Sequence, residues 1–159
     1  MTPNTHGWKL MRDAALSLAL TKPFAGELAN PRQMTAHTYS DSPAVLSDDP
    51  AFATGPGVGA LLPDVKFDGD FLSDRLGSGF TVLCFDTDLY QAITKACSGK
   101  LQILLLPHPS AASDTLAATQ LSAYLIRPDM HIAARWYHAS PEQIKAGFNT
   151  VTCNAGDSQ

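Results

Sequence analysis

Cysteine thiols, histidine rings and one glycine-rich run are the groups in this chain with chemistry to offer. Cys84, Cys97 and Cys153 are odd in number, and no two are spaced as CxxC. Dithiol exchange needs a thiolate stabilised at a helix N-terminus, with a resolving thiol beyond two intervening residues. The matching junction here reads "CFDTDLY" (84–90). Cys84 falls inside a strand-like run, and the carboxylates of Asp86 and Asp88 oppose a nearby thiolate. Cys97 falls near a helix C-terminus, the wrong end for an anion. Reduced, buried thiols are the economical reading. "GPGVGA" (55–60) matches the G-x-G-x-x-[GA] dinucleotide pattern. That pattern holds a pyrophosphate only between a strand and a helix N-terminus. Asp48-Asp49-Pro50 precedes it and Leu61-Leu62-Pro63 follows, so an ordinary turn is expected. The five histidines (His6, His37, His108, His131, His138) form no metal-spaced cluster with Cys or Asp. "GSG" (77–79) lacks the flanks of a nucleophile elbow.

Two polar stretches remain. In "YLIRPDMHIAARWYH" (124–138), Arg127-Pro128-Asp129 lies between two apolar runs. Pro128 suits the second position of a turn and Asp129 the third, so the segment reads as a hairpin tip. The competing reading is a ligand contact, with an aromatic acid held near Arg127 or Arg135. The second stretch, "RQMTAHTYSDSP" (32–43), gathers Arg32, Gln33, His37, Tyr39, Ser40 and Asp41 without any sustained period. It is either a docking arm or a solvated linker with a turn at Asp41-Ser42-Pro43.

The elements that position these groups follow from periodicity. Residues 7–22 carry Trp8, Met11, Ala15, Leu18 and Ala19 at helical spacing, with Thr5 as N-cap and Pro23 as a stop. Residues 23–60 are rich in proline and glycine and read as an extended arm anchored by Phe24, Met34, Tyr39, Val45 and Leu46. A short extended piece is expected around 65–67, a turn at Asp68-Gly69 and a helical turn at 71–76. "FTVLCFD" (80–86) and "KLQILLLPH" (100–108) read as buried strands joined by a helix over 87–99. Brief loops around that helix make a βαβ unit with parallel strands. Residues 109–121 are ambiguous. "SAYLIR" and "HIAARWY" give a hairpin, and 140–153 a last helix with Ser140 as cap, Pro141 at N1, and Ile144 and Phe148 facing inward. The order β-α-β, hairpin, α predicts an α/β fold: a thioredoxin-like mixed sheet flanked by helices, preceded by an N-terminal helix and an extended arm.

Composition bounds the partners. Of the 159 residues, 45% are apolar and only 16% charged, where about a quarter is typical of soluble domains. The shortfall points to a surface covered by something else. With a net charge of -4 and no basic run, nucleic acid is not an expected partner. No apolar stretch approaches the ~20 residues of a membrane span. The N-terminus lacks the pattern of a signal peptide, so a cytoplasmic location is expected.

"NPRQMTAHTYSDSP" (30–43), "GPGVGALLPDVKFDGDFLSDRLGSGFTVLCFD" (55–86) and "YLIRPDMHIAARW" (124–136) resemble the C-terminal part of class A FAD-dependent aromatic hydroxylases. These are the relatives of phenol hydroxylase and hydroxyphenylpropionate hydroxylase. The resemblance spans nearly the whole chain and departs from the family pattern at Met130 and Ala134. It implies that residues 1–54 are the tail end of a flavin catalytic domain plus linker, and 55–159 the thioredoxin-like domain that follows. It further implies a parent enzyme that uses FAD and NAD(P)H to place one oxygen atom beside a phenol hydroxyl. The residues for that chemistry lie outside this sequence, so no cofactor is expected in this chain. The implied role is structural: packing against the flavin domain or a second subunit, with Trp8, Met11 and Leu18 as a sticky stripe and the arm as a docking segment. The rival classes are a free-standing thiol oxidoreductase or peroxidase using Cys84, and a small-molecule binding module.

Overall fold

The computed structural model describes residues 5–22, 36–97, 99 and 101–153. The chain divides into two compact units, Met1–Ala36 and His37–Gln159. The first contains α1 (His6–Thr21), whose N-cap Thr5 accepts from the Trp8 backbone N–H. No residue of α1 is buried; Trp8, Leu10, Met11, Leu16, Leu18 and Leu20 are all exposed. Arg12 and Asp13 pair with each other on the helix surface.

In the second unit a two-residue hairpin, β1 (Lys66–Phe67) and β2 (Asp70–Phe71), turns at Asp68-Gly69 and feeds the one-turn helix α2 (Leu72–Arg75). The extended piece expected there thus has an antiparallel partner. Next come β3 (Thr81–Cys84), α3 (Thr87–Ala96), β4 (Gln102–Leu105), α4 (Ala111–Leu116), β5 (Ala123–Ile126), β6 (Ile132–Trp136) and α5 (Pro141–Val151). The four longer strands form one sheet in the order β4-β3-β5-β6. β3 and β4 are parallel, as the βαβ reading requires, and the other two pairings are antiparallel.

Local chemistry explains the boundaries. Asp86 caps α3 through the Leu89 N–H, and Ser140 caps α5 in a reciprocal box with Gln143, with Pro141 in the first turn. α3 stops at Ala96, short of the 87–99 range expected; Gly99 lies beyond it with φ +77°. The ambiguous stretch before β5 is α4, capped by Ser110.

Alternation along each strand divides the core in two. One half, under α3 and α5, gathers Val82, Cys84, Leu89, Ile93, Leu125, Ile144 and Phe148. The other, under α4 and residues 52–76, gathers Phe52, Leu62, Leu72, Leu83, Leu116, Tyr124, Ile126 and Ile132. One expectation needs correction. β4 is not a buried strand: it lies at the edge of the sheet, half-exposed along its length, with Leu105 exposed. A short apolar run reads the same whether one or both of its edges are paired.

Candidate functional site

The densest polar constellation in the described residues joins the arm to β6. Arg135 projects from β6 and is only 6% exposed. Its Nε and Nη2 donate to the two carboxylate oxygens of Asp48 at 2.6 and 2.8 Å, a bidentate pair. Nη1 donates to the Thr54 carbonyl at 3.1 Å, and the guanidinium lies 4.3 Å from the Phe52 ring centroid. Burial works to lower the Arg135 pKa, but the Asp48 carboxylate outweighs it and holds the group above its usual value. One residue on, the Asp49 carboxylate accepts from the Tyr137 N–H at 2.9 Å and from Ala51 N–H. Those two backbone bonds pull its pKa below the ordinary carboxylate range.

Backbone pairing extends this junction. Leu46 N–H donates to Ala133 O, Gly59 N–H to Ile132 O, and Leu62 N–H to Met130 O, while Ile132 N–H donates to Ala60 O. Residues 46–62 therefore cover the outer edge of β6. The glycine-rich run lies within this pairing. Gly59 takes φ +77°, and an added Cβ would stand 2.4 Å from the Tyr39 carbonyl carbon. At Gly57 a Cβ would meet the Asp48 carboxylate at 3.1 Å. No helix follows, since Leu61 bridges His131 instead. A pyrophosphate placed here would face a carboxylate, so these residues do not fit a dinucleotide.

At the hairpin tip, Met130 N–H donates to Arg127 O and Arg127 N–H to His131 O, closing the turn expected from Pro128-Asp129. Met130 adopts φ 64°, and the register of β5 and β6 shifts between Leu125 and Ile126. Arg127 Nη2 donates to Asp129 at 2.6 Å, while its Nη1 is shielded without a hydrogen-bond partner. Burial would raise the Asp129 pKa, but the His131 N–H and the Arg127 charge prevail and lower it. His131 packs edge-on to Tyr39 at 5.0 Å, and Tyr39 to His37 at 4.7 Å.

These contacts place the candidates read from the sequence. Arg135 is engaged within the fold. Arg127 pairs with Asp129 at the tip, where Tyr39 packs on His131 and His37 on Tyr39, and Ser40 and Asp41 are exposed. Arg32 and Gln33 lie outside the described residues. Trp8, Met11 and Leu18 are exposed on α1 in the other unit. Asp48, Asp49 and Phe52 escaped sequence reasoning; Asp48-Asp49-Pro50 entered it only as a flank of the glycine-rich run. The compact unit starts at His37, ahead of the boundary at 54/55 that the family resemblance implied; residues 37–54 bond to β6 and to Gly59.

Cys84 and Cys97 are buried as the sequence suggested, and Cys153 is not. Cys84 is fully buried, and burial first, then the Asp86 charge, push its pKa up to about 12. Cys97 is buried and also raised by burial, while Cys153 is exposed. Among the described residues no three His, Cys, Asp or Glu side chains are grouped to hold a metal. No helix there is long and apolar enough to cross a membrane.

No protein-family model and no curated protein matches the sequence. Solved structures do match the fold. A complex of aklavinone-11 hydroxylase with FAD and aklavinone aligns over 86% of this chain at 22% identity, with TM-score 0.59. K252c-soaked RebC aligns over 98% at 22% identity, with TM-score 0.64. The flavin-dependent monooxygenase PieE, bound to FAD and substrate, aligns over 86% at 18% identity, with TM-score 0.52. The chain spans only 32%, 30% and 31% of those three proteins.

Proposed function

We propose that this chain is the C-terminal, thioredoxin-like domain of an FAD- and NAD(P)H-dependent aromatic-ring monooxygenase, and that its own role is to pack rather than to react. The observation that carries the reading is the likeness in fold, over most of this chain, to about 30% of the length of three flavin-using oxygenases and hydroxylases. The β4-β3-β5-β6 sheet with helices on both faces supports the thioredoxin-like assignment. FAD and NAD(P)H belong, on this reading, to a separate flavin segment that is the chain's partner, in the cytoplasm. The arm's exposed residues Ser40 and Asp41 and the stripe of Trp8, Met11 and Leu18 are its docking candidates.

A protein that packs has no need of a reactive thiol, and Cys84 fits that role. A nucleophilic thiolate must form near neutral pH, whereas burial holds this thiol protonated up to about pH 12. The test has two arms. The genomic sequence upstream of Met1 is expected to encode an in-frame flavin-binding segment, and the joined protein to hydroxylate a phenolic substrate with NAD(P)H. The chain alone is expected to leave insulin disulfides and hydroperoxides untouched. Turnover of either by the isolated chain, with loss of activity in Cys84→Ser, overturns the proposal in favour of a thiol enzyme.

A further inference from the structure

Asp68-Gly69 is the only Asp-Gly or Asn-Gly pair in the sequence. It forms the two-residue turn between β1 and β2, with φ 52° at Asp68 and +87° at Gly69. Both values are left-handed, as a tight turn between twisted strands requires. The Asp68 side chain is 78% exposed, and a Cβ built on Gly69 meets nothing within 4 Å. Among the described residues the Gly69 N–H donates to no acceptor. The ladder that closes the turn is two residues long on each side, and Lys66, Asp68, Gly69 and Asp70 are exposed. So short a ladder, with its ends in water, opens readily. The Arg75 guanidinium reaches Asp70 at 2.9 Å and Asp68 at 3.7 Å, but exposed pairs of this kind add little.

We propose that Asp68-Gly69 is a site of self-modification, where the chain isomerises through a succinimide to isoaspartate. In the open hairpin the peptide plane swings until the Gly69 nitrogen meets Cγ of Asp68. The N–Cγ bond forms. One carboxyl oxygen leaves as water, taking the Gly69 N–H proton and the acid's own proton. Glycine permits both the swing and the approach, having no Cβ in the way. Water then opens the ring. Attack at Cγ restores aspartate. Attack at the Asp68 backbone carbonyl breaks its bond to the Gly69 nitrogen, so the main chain now runs through the side chain and an α-carboxylate is set free. One water leaves and one returns, with no oxidant or other reactant.

Other aspartates lack this freedom. The Ser42 N–H that follows exposed Asp41 donates to Tyr39 O, and the Met130 N–H that follows Asp129 donates to Arg127 O. The Phe71 N–H that follows Asp70 donates to Asp74. Asp49 precedes a proline, which has no N–H, and the Asp48 carboxylate is clamped by Arg135. Isoaspartate adds one atom to the backbone. A two-residue turn has no room for it, so the pairing of Lys66 with Phe71 and of Phe67 with Asp70 is lost. The new α-carboxylate fits an enzyme that methylates such groups from S-adenosylmethionine.

The test ages the whole chain at neutral pH, folded in buffer and unfolded in urea. Trypsin cuts after Lys66 and Arg75 and isolates residues 67–75. An isoaspartyl methyltransferase with labelled S-adenosylmethionine counts the product, and electron-transfer fragmentation places it. In the folded chain the label is expected at position 68, at a rate within about tenfold of that in urea. Tenfold corresponds to about 1.4 kcal/mol of hairpin opening. A form lighter by one water is expected to precede it. Asp68→Glu needs a larger ring and is expected to lose the label from this peptide. A folded chain slower than the urea sample by more than that factor overturns the proposal, because the turn then holds. So does label that centres on Asp41 or another aspartate, or that survives Asp68→Glu. The flavoprotein reading is independent of this result, since it stands on the upstream sequence and the hydroxylation assay.

Discussion

Removing Asp48 should harm this protein more than removing the arginine it pairs with. The Arg135 side chain is 6% exposed and that of Asp48 39%. In Asp48→Ala the guanidinium keeps the Thr54 carbonyl, the Phe52 ring and the Tyr124 hydroxyl beside it, and stays in a place that water hardly reaches. A fully buried pair broken this way costs about 3–5 kcal/mol. The partial exposure of Asp48 discounts that figure, since surface pairs are worth only about 0–1 kcal/mol. About 2–3 kcal/mol is therefore expected for Asp48→Ala. Arg135→Met removes the same pair and a cation–π contact worth about 0.5–1 kcal/mol. It leaves behind a carboxylate that can turn to solvent, and it places an apolar chain against Phe52. About 1 kcal/mol is expected there, and the double variant should be more stable than Asp48→Ala alone. Urea unfolding measures all three, with the slope against denaturant confirming that one transition is being compared. If Arg135→Met costs more than Asp48→Ala, or if Asp48→Ala costs under about 0.5 kcal/mol, the argument from unequal burial is wrong.

Other outcomes follow from single features. Met130→Gly should raise stability by about 0.5 kcal/mol: a non-glycine residue at φ 64° pays about 1–2 kcal/mol, against about 0.5–1 kcal/mol of extra chain entropy for glycine. A lower urea midpoint for this variant would refute the strain argument. Gly59→Ala should cost at least about 2 kcal/mol, combining a φ of +77° with a 2.4 Å approach to the Tyr39 carbonyl carbon. Faster amide exchange at Tyr39, whose N–H donates to Gly59 O, is the accompanying readout. Alkali should destabilise the fold through Cys84. The unfolded chain releases that proton near 9.0 and the folded chain only at about 12, so stability is full below the first value. It then falls by about 1.4 kcal/mol per pH unit between the two. Tyr124, raised from 10.0 to about 12 mainly by burial, adds to the loss; Cys84→Ala should reduce the slope, and an unchanged slope would count against the burial assignment.

The parts of the fold that were legible in the sequence are those with local signals. Ser140-Pro141 announces α5, Asp86 announces α3, and brief loops around one helix force β3 and β4 to be parallel. Arg127-Pro128-Asp129 gave the turn because proline and aspartate act within four residues. The junction of arm and sheet was not legible. Asp48 and Arg135 are 87 positions apart, and half of the bonds that join 46–62 to residues 130–137 run backbone to backbone, which any side chain permits. The glycines were conspicuous, but their reason lies in neighbours distant in sequence: the Tyr39 backbone at Gly59 and the Asp48 carboxylate at Gly57. The resemblance likewise placed the boundary at 54/55, where the chain only begins its second pass along β6.

The first pass, over residues 46–49, decides what can be moved as a piece. An excision that starts at the glycine turn would strip β6 of Leu46 and Asp49 and leave Arg135 without its counter-ion. The portable module begins at His37. A gene fusion or a domain transplant that respects that start carries its own selvedge with it, and one cut eighteen codons later inherits a raw seam.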